Sequence, residues 1–194
     1  MLALNKYLTH CFSTCLAIVT IFVTSVAYTA KPFIIDTDAG IDDVIAILYL
    51  LQRPDIQIKA ITIAADGSAH CKPALHNIHG LLQLAKHPNI PIACGMNKPM
   101  FGEHHFPVSI LNESDTLAGT AKLLPHLRPD TQKDAVDLII KTILEASEPI
   151  TILAIGPLTN IAQALQKAPQ IKKHIKSIYI MGGGLLMFLE TSLL

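Results

Sequence analysis

The sequence has no excess of either charge: Lys and Arg number 15, and Asp and Glu number 15. A nucleic-acid surface would need a basic surplus, so no nucleic-acid partner is expected. There is no internal repeat and no low-complexity segment, which argues against a repeat architecture. Long uncharged apolar runs are scarce, and the clearest one lies at the start. Hydrophobic residues still reach 51%, above the usual share of a soluble domain, and that opening run supplies part of the excess. The length of 194 residues suits one domain with a real core, or part of a larger one.

The opening residues read as an export signal. Lys6 and His10 mark a short polar start, and Cys11 to Ala27 carries no charge. Ser25-Val26-Ala27 offers small residues at the two positions a signal peptidase reads. The expectation is a signal over residues 1–27, a domain over 28–194, and export to a periplasm or the outside. The alternative is an uncleaved membrane anchor, for which the run is short against a span of about 20 residues. A membrane contact is expected only in that case. Neither Cys11 nor Cys15 follows a convincing lipobox. Beyond the signal stand Cys71 and Cys94. In an oxidising compartment they could pair; two buried free thiols are the other reading.

After the signal, strand-like and helix-like segments alternate. The expected strands are 32–36, 57–65, 90–94, 149–155 and 177–181, which are short, apolar and rich in β-branched residues. The expected helices are 42–53, 73–86, 134–146 and 160–167, with apolar residues at helical spacing. Strands apolar throughout and separated by helices predict an α/β fold: an open, mainly parallel sheet with helices on both faces. In such sheets ligands bind at the carboxyl ends of the strands. Here those ends carry Asp36-Thr37-Asp38, Asp66-Gly67-Ser68, Ile155-Gly156-Pro157 and Gly182-Gly183-Gly184. Residues 97–130 show no clear periodicity and hold four prolines. They read as a long excursion that could cover the site.

The strongest chemical signal is Asp36-Thr37-Asp38-Ala39-Gly40-Ile41-Asp42-Asp43. Four carboxylates follow a buried strand within eight residues. So much like charge in one spot is unfavourable unless a cation neutralises it. Oxygen-only ligands favour a hard ion, Ca²⁺ or Mg²⁺. Gly40 would allow the tight turn from strand to helix. Helix capping accounts for one or two of the aspartates, not for four. An EF-hand is excluded, because the positions that need glycine and glutamate hold Ile41 and Ile47.

The string DTDAGIDD resembles the DxDPGxDD signature of the inosine–uridine preferring nucleoside hydrolases, with Ala39 in place of the usual proline. Further matches follow in order. Ala60-Ile61-Thr62 leads into a glycine-containing loop, and Asn77 sits in the next helix. Ile90 to Gly95 and Lys98-Pro99 resemble the next strand and turn. Ile152 to Ala162 (ILAIGPLTNIA) is similar to a second hallmark and Met181 to Gly184 to a third. The resemblance covers most of residues 31–184 and implies a nucleoside hydrolase-like, Rossmann-like fold.

It also implies an activity: cleavage of the N-ribosidic bond of a small nucleoside substrate to ribose and free base. By match of position, Asp38 would be a Ca²⁺ ligand and the general base that takes a proton from the attacking water. Asp43 would be a second Ca²⁺ ligand, and the backbone carbonyl of Ile155 a third. Asp42 would accept hydrogen bonds from ribose hydroxyls, and Asp36 would support the metal site. A homo-oligomer is compatible with the resemblance. His104 and His105 lie in the excursion, where they could meet a leaving base or simply face water, and Asp115 could belong to the same lid. Asp66 and Ser68 lie in a loop where many members carry asparagine, and this loop departs from that form. Asn160 reads as a helix-start residue rather than a ligand.

After Gly184 the sequence departs from the family. A Gly-Asn segment, a stretch like Ala-Glu-Phe-Asn that binds ribose, and a late His-Asp pair with another calcium ligand have no counterpart. The resemblance is therefore to the amino-terminal part alone, with the fold incomplete at its C-terminus. It implies poor turnover or none by this stretch by itself, as an inactive truncated fragment or one that binds metal or ribose only. A different rival is a phosphatase of the haloacid dehalogenase type, with Asp36 as nucleophile and Asp38 as acid/base. Asp42-Asp43 and the GPLTN string do not belong to that pattern.

Overall fold

The computed structural model describes residues 29–125 and 134–182. The export signal over 1–27, Gly183 and Gly184 of the third hallmark, and the leucine-rich tail lie outside the described residues.

β1 (Lys31–Thr37) is buried on both sides. Its side chains alternate: Ile35 joins one apolar core and Ile34 the other. α1 (Ile41–Leu51) follows and buries Val44 and Ile47. β2 (Ile56–Ile63) runs parallel to β1, with a register shift that leaves Lys59 as an extra residue. One extra residue reverses the facing of everything before it, so Ile58 and Ile61 share the same core. α2 (Cys71–Leu84) buries Leu75, Ile78, Leu81 and Leu82 against that core. β3 (Ile92–Cys94) pairs with β2.

α3 (Val108–Thr116) and a short 3-10 turn over Ala121–Leu123 lie within the stretch expected to be irregular. The reason α3 escapes a periodicity reading is its burial. Val108 is 70% exposed and Ile110 39%, and the residue it buries is Ser114. A helix with no apolar stripe toward the core gives no helical signal.

α4 (Ala135–Glu145) starts at Asp134, whose carboxylate accepts from the Asp137 amide at 3.1 Å. β4 (Ile150–Ala154), α5 (Thr159–Lys167), a 3-10 segment over Pro169–His174, and β5 (Ile175–Ile180) complete the described chain. The sheet is parallel throughout, in the order β3-β2-β1-β4-β5. α1 and α2 pack on one core, and α4 and α5 on the other. The expected fold class is therefore what the chain adopts, with element ends displaced by a residue or two.

The topology places the site. From β1 the chain winds outward to β3, then crosses back to β4 on the other side of β1. The carboxyl ends of β1 and β4 thus flank the point where strand order reverses, where an open α/β sheet leaves a crevice. β1 ends in the aspartate string and β4 in Ile155-Gly156. Among the described residues no helix is long and apolar enough to cross a membrane.

Candidate active site

Asp36, the first carboxylate, faces the α5 side and is fully buried. Its Oδ1 accepts from the Thr62 hydroxyl at 2.5 Å and from Asn160 Nδ2 at 2.9 Å. Its carbonyl accepts from the Ile155 amide at 2.8 Å. Burial pushes the Asp36 carboxyl from the ordinary 3.8 up to about 7, against the lowering pull of the Asn160 and Thr62 bonds. A carboxylate sealed beneath the sheet end cannot reach a phosphate ester, which removes the basis of the phosphatase reading.

Thr37 points to the opposite side. Its hydroxyl donates to Asp43 Oδ2 at 2.5 Å and accepts from the Ala39 amide at 2.9 Å. Asp43, in the first turn of α1, is 3% exposed. It is therefore held toward the strand end instead of capping its helix, whose N-cap is Gly40. Burial pushes the Asp43 carboxyl up to about 7. The neighbouring Asp38 carboxylate adds to the rise and the Thr37 bond opposes it.

Asp38 stands in a slot between two glycines. A Cβ at Gly67 would come within 2.2 Å of Asp38 Cβ, and one at Gly156 within 2.6 Å of its amide nitrogen. Side chains there would displace the backbone, so both positions need glycine. The Ser68 amide donates to Asp38 Oδ2 at 2.9 Å, and the Ser68 hydroxyl donates to the Asp38 carbonyl at 3.3 Å. The left-handed residue of the turn is Ala39, with φ of 58°. Gly40 has φ of −60°; its value is space, since a Cβ there would meet Asp42 Oδ1 at 2.8 Å. This corrects the expected role of Gly40. It also gives Ala39 meaning, because proline, locked near −65°, cannot take that conformation.

Asp38, Asp42, Asp43 and Ser68 line a cleft of about 560 Å³ whose other walls include Ile45, Phe106, Ile110, Glu113 and Met181. Asp42 is exposed there. The predicted residues thus divide: Asp38, Asp42 and Asp43 meet at the cleft, while Asp36 lies beneath it. The Ile155-Gly156 segment lies against Asp38, and Ile155 is 6% exposed. Among the described residues no three His, Cys, Asp or Glu side chains converge as a metal cage. What is present is an acceptor-only pair of buried carboxylates with a backbone segment alongside, a partial donor set that fits a hard cation.

His104 and His105 are exposed, and His104 stacks edge-on with Phe106, the ring that lines the cleft. Asp115 ties α3 to the start of α2, accepting from the His70 amide at 2.8 Å and contacting His70 Nδ1 at 2.7 Å. Asp66 accepts from the Thr159 hydroxyl at 2.5 Å. Cys71 and Cys94 form a disulfide. Asn160 lies in the first turn of α5 as expected, yet it is fully buried and serves Asp36 instead of capping. Its Oδ1 would lie 1.7 Å from a Cβ on Gly95, which explains that glycine. Sequence reasoning missed Thr37, Thr62 and Ser68 as holders of the carboxylates. Thr37 could have been found, because it sits inside the aspartate string.

A family model described as inosine-uridine preferring nucleoside hydrolase matches residues 33–189. The pyrimidine-specific ribonucleoside hydrolase RihA of Salmonella paratyphi A is 40% identical over 156 residues, which are 80% of this chain and 49% of that protein. Among solved structures, a plant nucleoside hydrolase is 34% identical with a TM-score of 0.67, over 79% of this chain and 48% of that one. A purine-preferring ribonucleoside hydrolase from Gardnerella vaginalis is 29% identical with a TM-score of 0.64, over 79% and 49%. The chain spans about half the length of the curated relatives it matches.

Proposed function

The chain belongs to the inosine-uridine preferring nucleoside hydrolase family, and from that premise we propose that its site cleaves the N-glycosidic bond of a ribonucleoside to ribose and free base. The observation that carries the reading is the pair Asp38 and Asp43. These buried carboxylates lie at the switch point of the sheet and border a cleft of about 560 Å³, a volume within the range of small-molecule sites.

Two neighbouring carboxylates sealed from water call for a cation, and a donor set of oxygens alone favours a hard ion, here taken as the Ca²⁺ that the family resemblance implies. Asp38, Asp43 and the backbone carbonyl of Ile155 would hold it. Such an ion would supply an anchor for the ribose diol and a lowered pKa for a bound water. Asp38 is the general base that takes the proton of the attacking water. Asp42, exposed in the cleft, accepts hydrogen bonds from the ribose hydroxyls. Departure of the base leaves positive charge on the sugar, and the carboxylate floor stabilises that charge as it develops. Asp36 positions the floor from below through its bonds to Thr62, Asn160 and Ile155.

The test is base release from inosine and from uridine in added calcium, comparing the chain with Asp38→Asn. Removing a general base should lower the rate by about 10²-fold or more. Equal, measurable release by both proteins would contradict the assignment, as would hydrolysis of a phosphate ester without base release. Residues 1–27 are proposed as a signal removed on export, and the Cys71–Cys94 disulfide supports an oxidising compartment. Exported material should have an intact mass that begins at Tyr28; a retained Met1 would refute cleavage.

A further inference from the structure

Cys71 and Cys94 are bonded, with Cα atoms 5.9 Å apart. Cys94 ends β3 and pairs with Ile63, the last residue of β2. The next amide, Gly95, donates to the Ile63 carbonyl at 2.8 Å. Cys71 opens α2. Residues 64–70 leave the sheet at Ile63 and arrive at Cys71, so the disulfide ties the far end of this loop back to where it begins.

That loop grips Asp38. Gly67 packs on the Asp38 side chain, with no room for a Cβ. The Ser68 amide and hydroxyl bond to Asp38 Oδ2 and to its carbonyl. Ala64, Ala65, Gly67, Ser68 and Ala69 are buried, so the loop has little slack. Its other side-chain anchors among the described residues are Asp66 to Thr159 and His70 to Asp115, and His70 is exposed.

We propose that the Cys71–Cys94 disulfide is a positioning element for Asp38, holding loop 64–70 on that carboxylate so that cation affinity depends on the bond being closed. The inference rests on the reading of Asp38 as a metal ligand. A dithiol reductant opens the bond by delivering two electrons and two protons to the two sulfurs, and is itself oxidised to a disulfide. The α2 end of the loop is then released from β3. The Ser68 amide is free to leave Asp38 Oδ2, and the carboxylate loses the donor that fixes its direction. Partners that orient a ligand in this way commonly change affinity by about 10- to 100-fold.

The experiment compares the full chain oxidised and after reduction with dithiothreitol. Alkylation and peptide mass at Cys71 and Cys94 verify that the bond is open. Hydrogen exchange is followed in residues 64–70 and in β4, and calcium affinity is measured by calorimetry. Reduction should speed exchange in 64–70, leave 150–154 unchanged, and weaken calcium binding by about tenfold. Cys71→Ser with Cys94→Ser should reproduce all three results without reductant. Unchanged exchange in 64–70 after verified reduction would overturn the proposal. So would an equal rise in 150–154, because the effect would then be global, and so would unchanged calcium affinity. If the oxidised chain binds no calcium, the metal reading itself fails, while the exchange result still decides whether the disulfide positions the loop.

Discussion

At the floor of the site, Asp36 is bonded to Thr62, 26 residues away, and to Asn160, 124 residues away. Asp38 is wedged between Gly67 and Gly156, and Asp43 is tied to Thr37. At the outer wall, α3 buries one polar residue, Ser114. It is hung on α2 by Asn77, whose Nδ2 donates to the Ser114 carbonyl at 3.4 Å and the Asp115 carbonyl at 3.0 Å, and by Asp115 to His70. The floor is fixed from two strands, two helices and the loops that follow β2 and β4, whereas the wall hangs from a single helix. The difference matches what the proposed function asks of each. Carboxylates that are to share a cation have to be held against their own repulsion, and pre-organised charge is what such chemistry needs. A wall facing a substrate can remain adjustable.

Filling the slot in the floor should have the largest effect. Gly67→Ala places a Cβ 2.2 Å from Asp38 Cβ. Overpacking of this kind costs about 1–3 kcal/mol, and the loop must lift off Asp38. Thermal unfolding should show the loss, and calcium titration should show weakened binding. A variant with unchanged stability and affinity would mean the floor is not tightly held.

Asn160→Leu should cost about 1–3 kcal/mol, because it strips a donor from a fully buried carboxylate. Denaturant unfolding measures this. Loss of metal affinity in the same variant would tie Asp36 to the floor's geometry; unchanged affinity would separate the two.

Acidity sharpens the contrast further. The folded pKa of Asp36 and of Asp43 is raised to about 7 from 3.8. Each therefore favours the folded state most below about 4, and that stability is lost as pH rises through about 7. In a chelator, the chain should melt at a lower temperature at pH 8 than at pH 5. Calcium binding should show the reverse trend, strengthening with pH as the ion displaces the proton of Asp43. A melting temperature that rises with pH in chelator would contradict the burial argument.

The smallest effect belongs to the wall. Asp115→Ala removes hydrogen bonds at an exposed histidine, worth about 1 kcal/mol in all. Proteolysis or hydrogen exchange in α3 should rise, with calcium affinity unchanged. A large loss of calcium affinity would show that the wall and the floor are one unit.

The same two regions differ in how far they could be read from sequence. The floor announces itself locally: a β-branched strand followed by four aspartates in eight residues needs no knowledge of the rest of the chain. The sheet class is legible for the same reason, since Ile34, Ile35, Ile150 and Ile152 are buried on both faces and leave continuous apolar runs. The supports of the floor are not legible in that way. Nothing near Thr62 or Asn160 says that it serves Asp36, because those bonds exist only once β2 and α5 flank β1. α3 was illegible because its apolar side chains face outward. The disulfide stayed open as a question because two cysteines in a sequence carry no distance.

Asp38 and Asp43 are proposed as the heart of a cation site. Calorimetric titration of calcium into the chain, into Asp38→Asn and into Asp115→Asn tests it most directly. The account predicts that Asp38→Asn loses most of the affinity while Asp115→Asn keeps it. Equal affinity in the two variants would contradict the account.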